Sequence, residues 1–457
     1  MDEKFWLRVG SMGITLAVII LSIANALGQL NADNPLQAFI GETIEITGTV
    51  KGDPDISGQT SSAKIDNLSL NGEKLIGTVF LYGKLDSGIE RGDRITVYGK
   101  LSSGFGTFIG AFYQPKIVEL LKPEPRSFAL TIRNSFATNV KDAIGEREAN
   151  LGLAYLLGMR TGLDEDTAEL LSLIGLTHIV VASGTHLGII VDFVKKRFGK
   201  VSRFAGLLFS LLCIFIFGEI VGWTASITRA AIVSGLTLVG WYYGRRLGAG
   251  RVILIAVAIT LAINPMYLID IGWLLSFASF TGIMVLEPML VEFFYGRKNT
   301  KKKAVRQPRI VAELVLSSIA ASLMCAPILI YFFGSISLIS ILANILILPT
   351  ISFAMVLVGM LGVVGFLPSF FLFDWFSFLL AKIATLMLDY HLFVMELCAK
   401  QTSLIIHIEQ NNPWVYLLYI PILLPFAIMS IGRARKRHHA QLRVHSNPEK
   451  YLPFTIN

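Results

Sequence analysis

The chain has 457 residues, 53% of them hydrophobic and only 16% charged, with a mean hydropathy of +0.62 and a formal charge of +8. A soluble globular chain carries about 25% charged residues, and the apolar residues here gather into nearly charge-free runs long enough to cross a hydrocarbon core of about 30 Å as helices, so an ordinary soluble domain is excluded. The positive surplus lies in short loops between those runs, a pattern that orients a membrane protein, and Cys213, Cys325 and Cys398 form no disulfide framework or CxxC site.

In chain order, the first apolar run covers 6–27 and follows a mixed charged start of Asp2, Glu3, Lys4 and Arg8. It exceeds a signal-peptide core of about 7 to 15 residues and no A-x-A site follows, so 1–28 reads as a retained first span. Over 41–121 the period changes to alternation, in segments 44–51, 63–70, 75–82, 94–101 and 108–118. Turn residues separate them, such as Gly52-Asp53-Pro54, Asn71-Gly72 and Arg91-Gly92-Asp93. Five short strands in such a length suit a small barrel, and the OB fold is the five-stranded candidate.

A Pro-containing linker at 122–126 leads into an amphipathic stretch, 128–157, within a linker-and-helix region extending to 170. Its charges (Arg133, Lys141, Asp142, Glu146, Arg147, Glu148) are too many for a span, so it is expected at the membrane surface. The region 171–431 then holds further spans near 171–194, 204–223, 227–243, 252–263, 269–295, 310–333, 338–367, 370–397 and 413–431. With the first run that makes about ten, followed by a basic tail at 432–457. The basic loops (195–203, 245–251, 297–306 and 433–439) all fall on the amino-terminal side when the span count is even. By the positive-inside rule that side is the cytoplasm, which puts both termini inside and the β domain outside.

The densest functional signal is Gly175-Leu176-Thr177-His178, followed by Ser183-Gly184-Thr185-His186-Leu187-Gly188, with two histidines in one expected span. Polar groups in lipid need partners, so these face a protein interior or water. Non-helical backbone at Ser183-Gly184 is tolerated only beside a cavity. The residues alone leave open whether both imidazoles merely bond neighbouring helices.

The stretch resembles the signature of the ComEC family of competence proteins, approximately G-L-x-H-L-x-x-x-S-G-x-H-V-G, matching at Gly175, Leu176, His178, Ser183, Gly184, His186 and Gly188. Thr185 takes a usually apolar place and Leu187 replaces valine. Further segments match in the family's order: Leu156-Leu157-Gly158-Met159-Arg160 upstream, Ser226-Ile227-Thr228-Arg229-Ala230, Asp270-Ile271-Gly272-Trp273 through Ser276-Phe277-Ala278, Ala326-Pro327, and Ala343-Asn344 with Pro349.

The resemblance implies a channel that passes one DNA strand across the cytoplasmic membrane during natural transformation. It implies a DNA path built from His178, Ser183, Gly184, His186, Arg229, Asp270, Ser276, Asn344 and Pro349, with no catalytic residue, metal or cofactor. Its partners would be single-stranded DNA and membrane lipids, with a DNA receptor, a separate nuclease and an ATP-driven motor, since the chain carries no Walker A sequence. Many family members continue into a metallo-β-lactamase-like domain with an H-x-H-x-D-H motif, which this chain lacks.

For Arg229 two roles stand open, an ion pair with Asp270 and a contact to phosphate. Asn344 and Pro349 suggest a broken helix lining a cavity, or a kink that serves packing. In the β domain Tyr82, Tyr98, Phe105, Phe108, Phe112 and Tyr113 are candidates for base stacking, but such aromatics more often form a core, and acidic residues offset the lysines and arginines. Two other classes fit the residue types: an intramembrane hydrolase using Ser183 with His186 or His178, and a transporter of a lipid or other solute.

Overall fold

A computed structural model describes residues 3–30, 34–57, 60–85, 88–122, 127–180, 184–245, 247–295, 310–367, 371–401, 405–408 and 410–424. Ser183, the basic segments 297–306 and 433–439, and the tail at 432–457 lie outside the described residues. The chain divides into two units, 1–277 with 337–406, and 278–336 with 407–457.

The first unit opens with α1 (Glu3–Leu30), which packs on α8 (Ala249–Ile263). A β domain follows: β1 (Thr43–Val50), β2 (Asp55–Ser57), β3 (Thr60–Leu70), β4 (Glu73–Leu75), β5 (Val79–Gly83), β6 (Arg94–Ser103), β7 (Gly110–Tyr113) and β8 (Lys116–Leu121). Five of them close a ring, β1 to β3 to β5 to β7 to β6 and back to β1, with β5 and β7 parallel and the other pairs antiparallel. Alternation produces this barrel, because inward positions such as Ile46, Ile65, Leu81, Ile95, Leu101 and Phe112 are fully buried.

Two expected strands are divided. The segment 75–82 becomes β4 and β5, with Ile76 left 95% exposed between them. The segment 108–118 is cut where Gln114 adopts φ +53 and Pro115 removes a ladder donor.

Helices complete the unit: α2 (Phe128–Ala143), α3 (Glu146–Leu157), α4 (Glu165–Leu173), α5 (Gly184–Phe198), α6 (Arg203–Val221), α7 (Ala225–Tyr242), α9 (Ile271–Thr281), α12 (Ile339–Val364) and α13 (Phe371–Ala399). Contrary to the expected surface location, α3 is buried from Ala149 to Tyr155 and packs on α12 and α13. Its charges sit only in the first turn, which leaves the rest free to join the core.

One end of the barrel docks on these helices through charge. Arg133 of α2 is 4% exposed and grips Asp53 with two hydrogen bonds, one of 2.8 Å. Arg160 bonds Asp55 at 2.6 Å. Arg91 donates to the carbonyls of Glu219 and Ile220, each at 3.0 Å, and so caps the carboxyl end of α6. Gly222 ends that helix at φ +101, and a Cβ there would lie 2.3 Å from the Arg91 guanidinium, so only glycine fits. Burial lowers the pKa of Arg91, and nearby Arg133 lowers it further while Asp53 and Glu219 oppose the shift.

The second unit contains the π-helical turn Gly282–Leu286, α10 (Glu287–Tyr295) and α11 (Ile310–Phe333). Tyr419 donates to the Met324 carbonyl at 2.8 Å, and the Tyr331 ring packs at a tilt against Tyr416, with 5.2 Å between centres.

Among the described residues, five helical segments are long and apolar enough to cross a membrane: Arg203–Val221, Ile271–Tyr295, Ala312–Phe333, Ile339–Val364 and Trp375–Ala399. Thr15–Gly28, Ala249–Ile263 and Pro413–Leu424 are shorter apolar helices. The protein is a helical membrane protein with a small barrel. The expected single span at 171–194 is not one helix: α4 ends at Leu173, Gly175 turns the chain at φ +71, and α5 starts at Gly184.

Candidate functional site

The break between α4 and α5 is what positions the signature residues. A Cβ on Gly175 would lie 3.3 Å from Ser340, so this turn rests against the first turn of α12. His178 follows in the turn, its Nδ1 3.1 Å from the Gly175 carbonyl, and the side chain of Asn344 on α12 approaches the ring. Asn344 is 6% exposed.

Gly184 is the first described residue of α5. Arg229, near the start of α7 and 9% exposed, brings its Nη2 to 3.4 Å from where a Cβ on Gly184 would stand. The guanidinium also lies 6.0 Å from the centre of the Phe277 ring of α9. The buried guanidinium thus lies beside Gly184 of α5, and guanidinium forks are common ligands of anions.

Asp270 stands next to the start of α9, and its Oδ1 accepts the Trp273 backbone N–H at 2.7 Å, as an N-cap carboxylate does. Among the described residues no ion pair joins it to Arg229, so the bracing pair considered from sequence is not formed. Ser226 of α7 donates to Ser276 of α9 at 3.1 Å, and Thr228 shares a hydrogen bond with Tyr267. These bonds hold the starts of α7 and α9 together.

A hollow of about 470 Å³ lies alongside, lined by Trp223, Thr228, Ala231, Ile232, Ile263 and Tyr267 and by none of the sequence-predicted residues. Pro349 does not break its helix. α12 runs unbroken from Ile339 to Val364, which corrects the broken-helix expectation. Close by, the carbonyls of Leu346 and Ile347 accept from Tyr390 and Thr350.

The structure therefore joins Gly184 with Arg229, His178 with Asn344, and Ser276 with the start of α7. Asp270 is separate from Arg229, and Pro349 is internal to α12. His186 is on α5, but its side chain lies outside the described residues, as does Ser183. Phe277, Thr228 and Tyr267 were not singled out from sequence as site residues. Tyr267 carried a signal, since it follows the turn pair Asn264-Pro265 just before Asp270.

On the barrel, only Phe112 among the six aromatics considered is core. Tyr82, Phe105 and Tyr113 are 39%, 47% and 55% exposed and join Phe80 and Phe108 in one cluster, with neighbouring ring centres 5.1 to 6.5 Å apart. Lys64 lies 5.6 Å above the Phe108 ring. Asp66, further along β3, is paired with Lys51. Tyr98 stands apart, opposite Glu45 and Lys116.

A family model described as competence protein matches residues 155–433, more than half of the chain. The chain belongs to the competence protein family. The match agrees with the ordered motifs read from sequence and contains the whole helical site. ComE operon protein 3 of Bacillus subtilis (strain 168) is 26% identical over 271 residues, which cover 57% of this chain and 33% of that relative. The competence-family chain thus aligns with about a third of the relative's length. No solved structure matches it.

Proposed function

We propose that this competence-family protein conducts a single strand of DNA across the cytoplasmic membrane during natural transformation. The observation that carries the reading is the approach of the buried Arg229 guanidinium to Gly184 of α5. A guanidinium fork is a ligand for phosphate, the group that repeats along a DNA strand irrespective of its sequence. His178, on the turn before α5, and Asn344, on α12, supply further polar groups, and Gly188, one turn after Gly184 on α5, faces open space.

The barrel fits the first stage of the same path. Its aromatic wall, with Thr60, Ser62 and Lys64 facing outward from β3, is the stacking surface by which OB-like domains hold single strands. In this reading about ten spans cross the membrane, both termini are cytoplasmic and the barrel is outside, as the basic loops require. A DNA receptor, a nuclease for the other strand and an ATP-driven motor act as partners.

The test is uptake of end-labelled DNA by cells lacking this gene and by cells complemented with it, scoring transformants and the internalised strand. Loss of internalised strand with surface DNA intact is the expected result. Normal uptake in the deletion strain would overturn the reading. Cysteine labelling at Asn71 from outside intact cells tests the topology.

A further inference from the structure

A second polar cluster lies in the first unit, away from the signature turn, where α3, α12 and α13 meet. His391 of α13 is fully buried, and its Nε2 lies 2.8 Å from the Thr350 hydroxyl oxygen. Thr350 has one hydrogen, and its hydroxyl directs it to the Ile347 carbonyl at 3.0 Å. The bond to His391 must therefore be donated by the ring, which fixes the proton on Nε2. With no carboxylate partner for it among the described residues, the buried ring is neutral and its Nδ1 is a bare acceptor. That Nδ1 is buried with no partner in the protein.

Tyr155 of α3, 1% exposed, meets the His391 ring edge-on at 5.6 Å between centres. Its hydroxyl is likewise buried without a partner. An orphan donor and an orphan acceptor thus belong to two adjoining rings, and buried polar atoms in native proteins are almost always hydrogen-bonded, to ordered water where protein groups do not reach.

We infer that one water molecule is bound between Tyr155 and His391, accepting from the tyrosine hydroxyl and donating to Nδ1. The site completes a one-directional chain of hydrogen bonds from Tyr155 through water, His391 and Thr350 to the Ile347 carbonyl. It spans three helices and ends beside Pro349, where α12 lacks a backbone donor. Tyr390, next to His391, donates to the Leu346 carbonyl at 3.1 Å. The cluster is a positioning device that holds α12, the helix carrying Asn344, against α3 and α13. This inference does not rest on the DNA-conducting reading.

The full-length protein, labelled with 15N-histidine and placed in lipid bilayers, tests it by solid-state NMR, with His391→Gln identifying the His391 signals. The expected spectrum shows Nε2 protonated, Nδ1 unprotonated, and a cross-peak from Nδ1 to water protons. Tyr155→Phe removes the donor, and the water cross-peak should fall by at least about half while Nε2 stays bonded to Thr350. A proton on Nδ1 or no water contact in the unaltered protein would overturn the inference. So would a cross-peak unchanged in a Tyr155→Phe protein of normal abundance. The unaltered protein alone decides the case if that variant fails to fold.

Discussion

In the barrel, aromatic rings stand exposed on one wall, whereas in the helical part of the same unit a guanidinium, an asparagine and several serines are buried. In an aqueous setting a small barrel gains by burying its rings, so a cluster left outside is the anomaly there. Among membrane helices apolar exposure is ordinary and a buried charge is the anomaly. Under the proposed function the two regions would serve one ligand by opposite departures from what folding alone favours, rings for bases and a cation for phosphates.

The comparison is broken or sharpened most by Arg229. If the side chain serves the ligand, as proposed, Arg229→Ala should reduce transformation by about 100-fold or more while membrane abundance stays near normal. Arg229→Lys should also fail, since an ammonium keeps the charge and loses the bidentate fork. Recovery of uptake in Arg229→Leu with Asp270→Leu would show that the charge is structural, against the present geometry.

Next in size is the docking of the barrel. Arg133→Ala leaves Asp53 without its buried partner, at a cost of about 3 to 5 kcal/mol. The expected outcome is a lowered melting temperature and reduced abundance, read by thermal unfolding in detergent and by immunoblot. An unchanged melting curve would mean that the barrel is not held by this pair.

Stacking comes third. Tyr82→Ala or Phe105→Ala should weaken binding of a short thymidine oligomer to the purified full-length protein by about 5- to 150-fold, equivalent to about 1 to 3 kcal/mol. Tyr82→Phe should change it by less than about twofold. With Lys64 and Lys84 the nearby cations, the logarithmic salt slope should be only about −1.4. Equal losses in Tyr82→Phe and Tyr82→Ala would rule out stacking, and preferential binding to anionic lipid vesicles would reassign the wall to the membrane.

The smallest effect is expected at Asp270. Asp270→Asn retains an N-cap acceptor and should leave uptake within about twofold, whereas Asp270→Ala should lower stability by about 0.5 to 2 kcal/mol.

Much of this was legible in the sequence. Alternation over 41–121 located the barrel, because a period of two has one buried face, yet it missed the cut at Gln114, where a single left-handed residue leaves no trace in hydropathy. The apolar runs located α6, α11, α12 and α13, but 171–194 is apolar enough to pass as a helix while Gly175 turns it. Arg229 and Asp270 stood out as charges within or beside apolar runs, but the sequence left open whether they pair, since spacing cannot show that a carboxylate caps its own helix. Pro349 suggested a break because a sequence does not display the neighbouring helices α3 and α13 that pack on α12 and hold it continuous. His391, an ionisable residue inside an apolar run, was the one readable sign of the α3–α12–α13 cluster.

The central claim, that a DNA strand passes beside the start of α5, is tested most directly by crosslinking during uptake. A Cβ added at Gly188 on α5 would meet no heavy atom within 4 Å, so a photoreactive side chain fits there, and Leu386 on α13, 68% exposed, provides the control. With a labelled strand arrested in transit, the probe at Gly188 should capture DNA and the probe at Leu386 should not. Equal capture at both positions, or none at Gly188 in cells that still take up DNA, would contradict it.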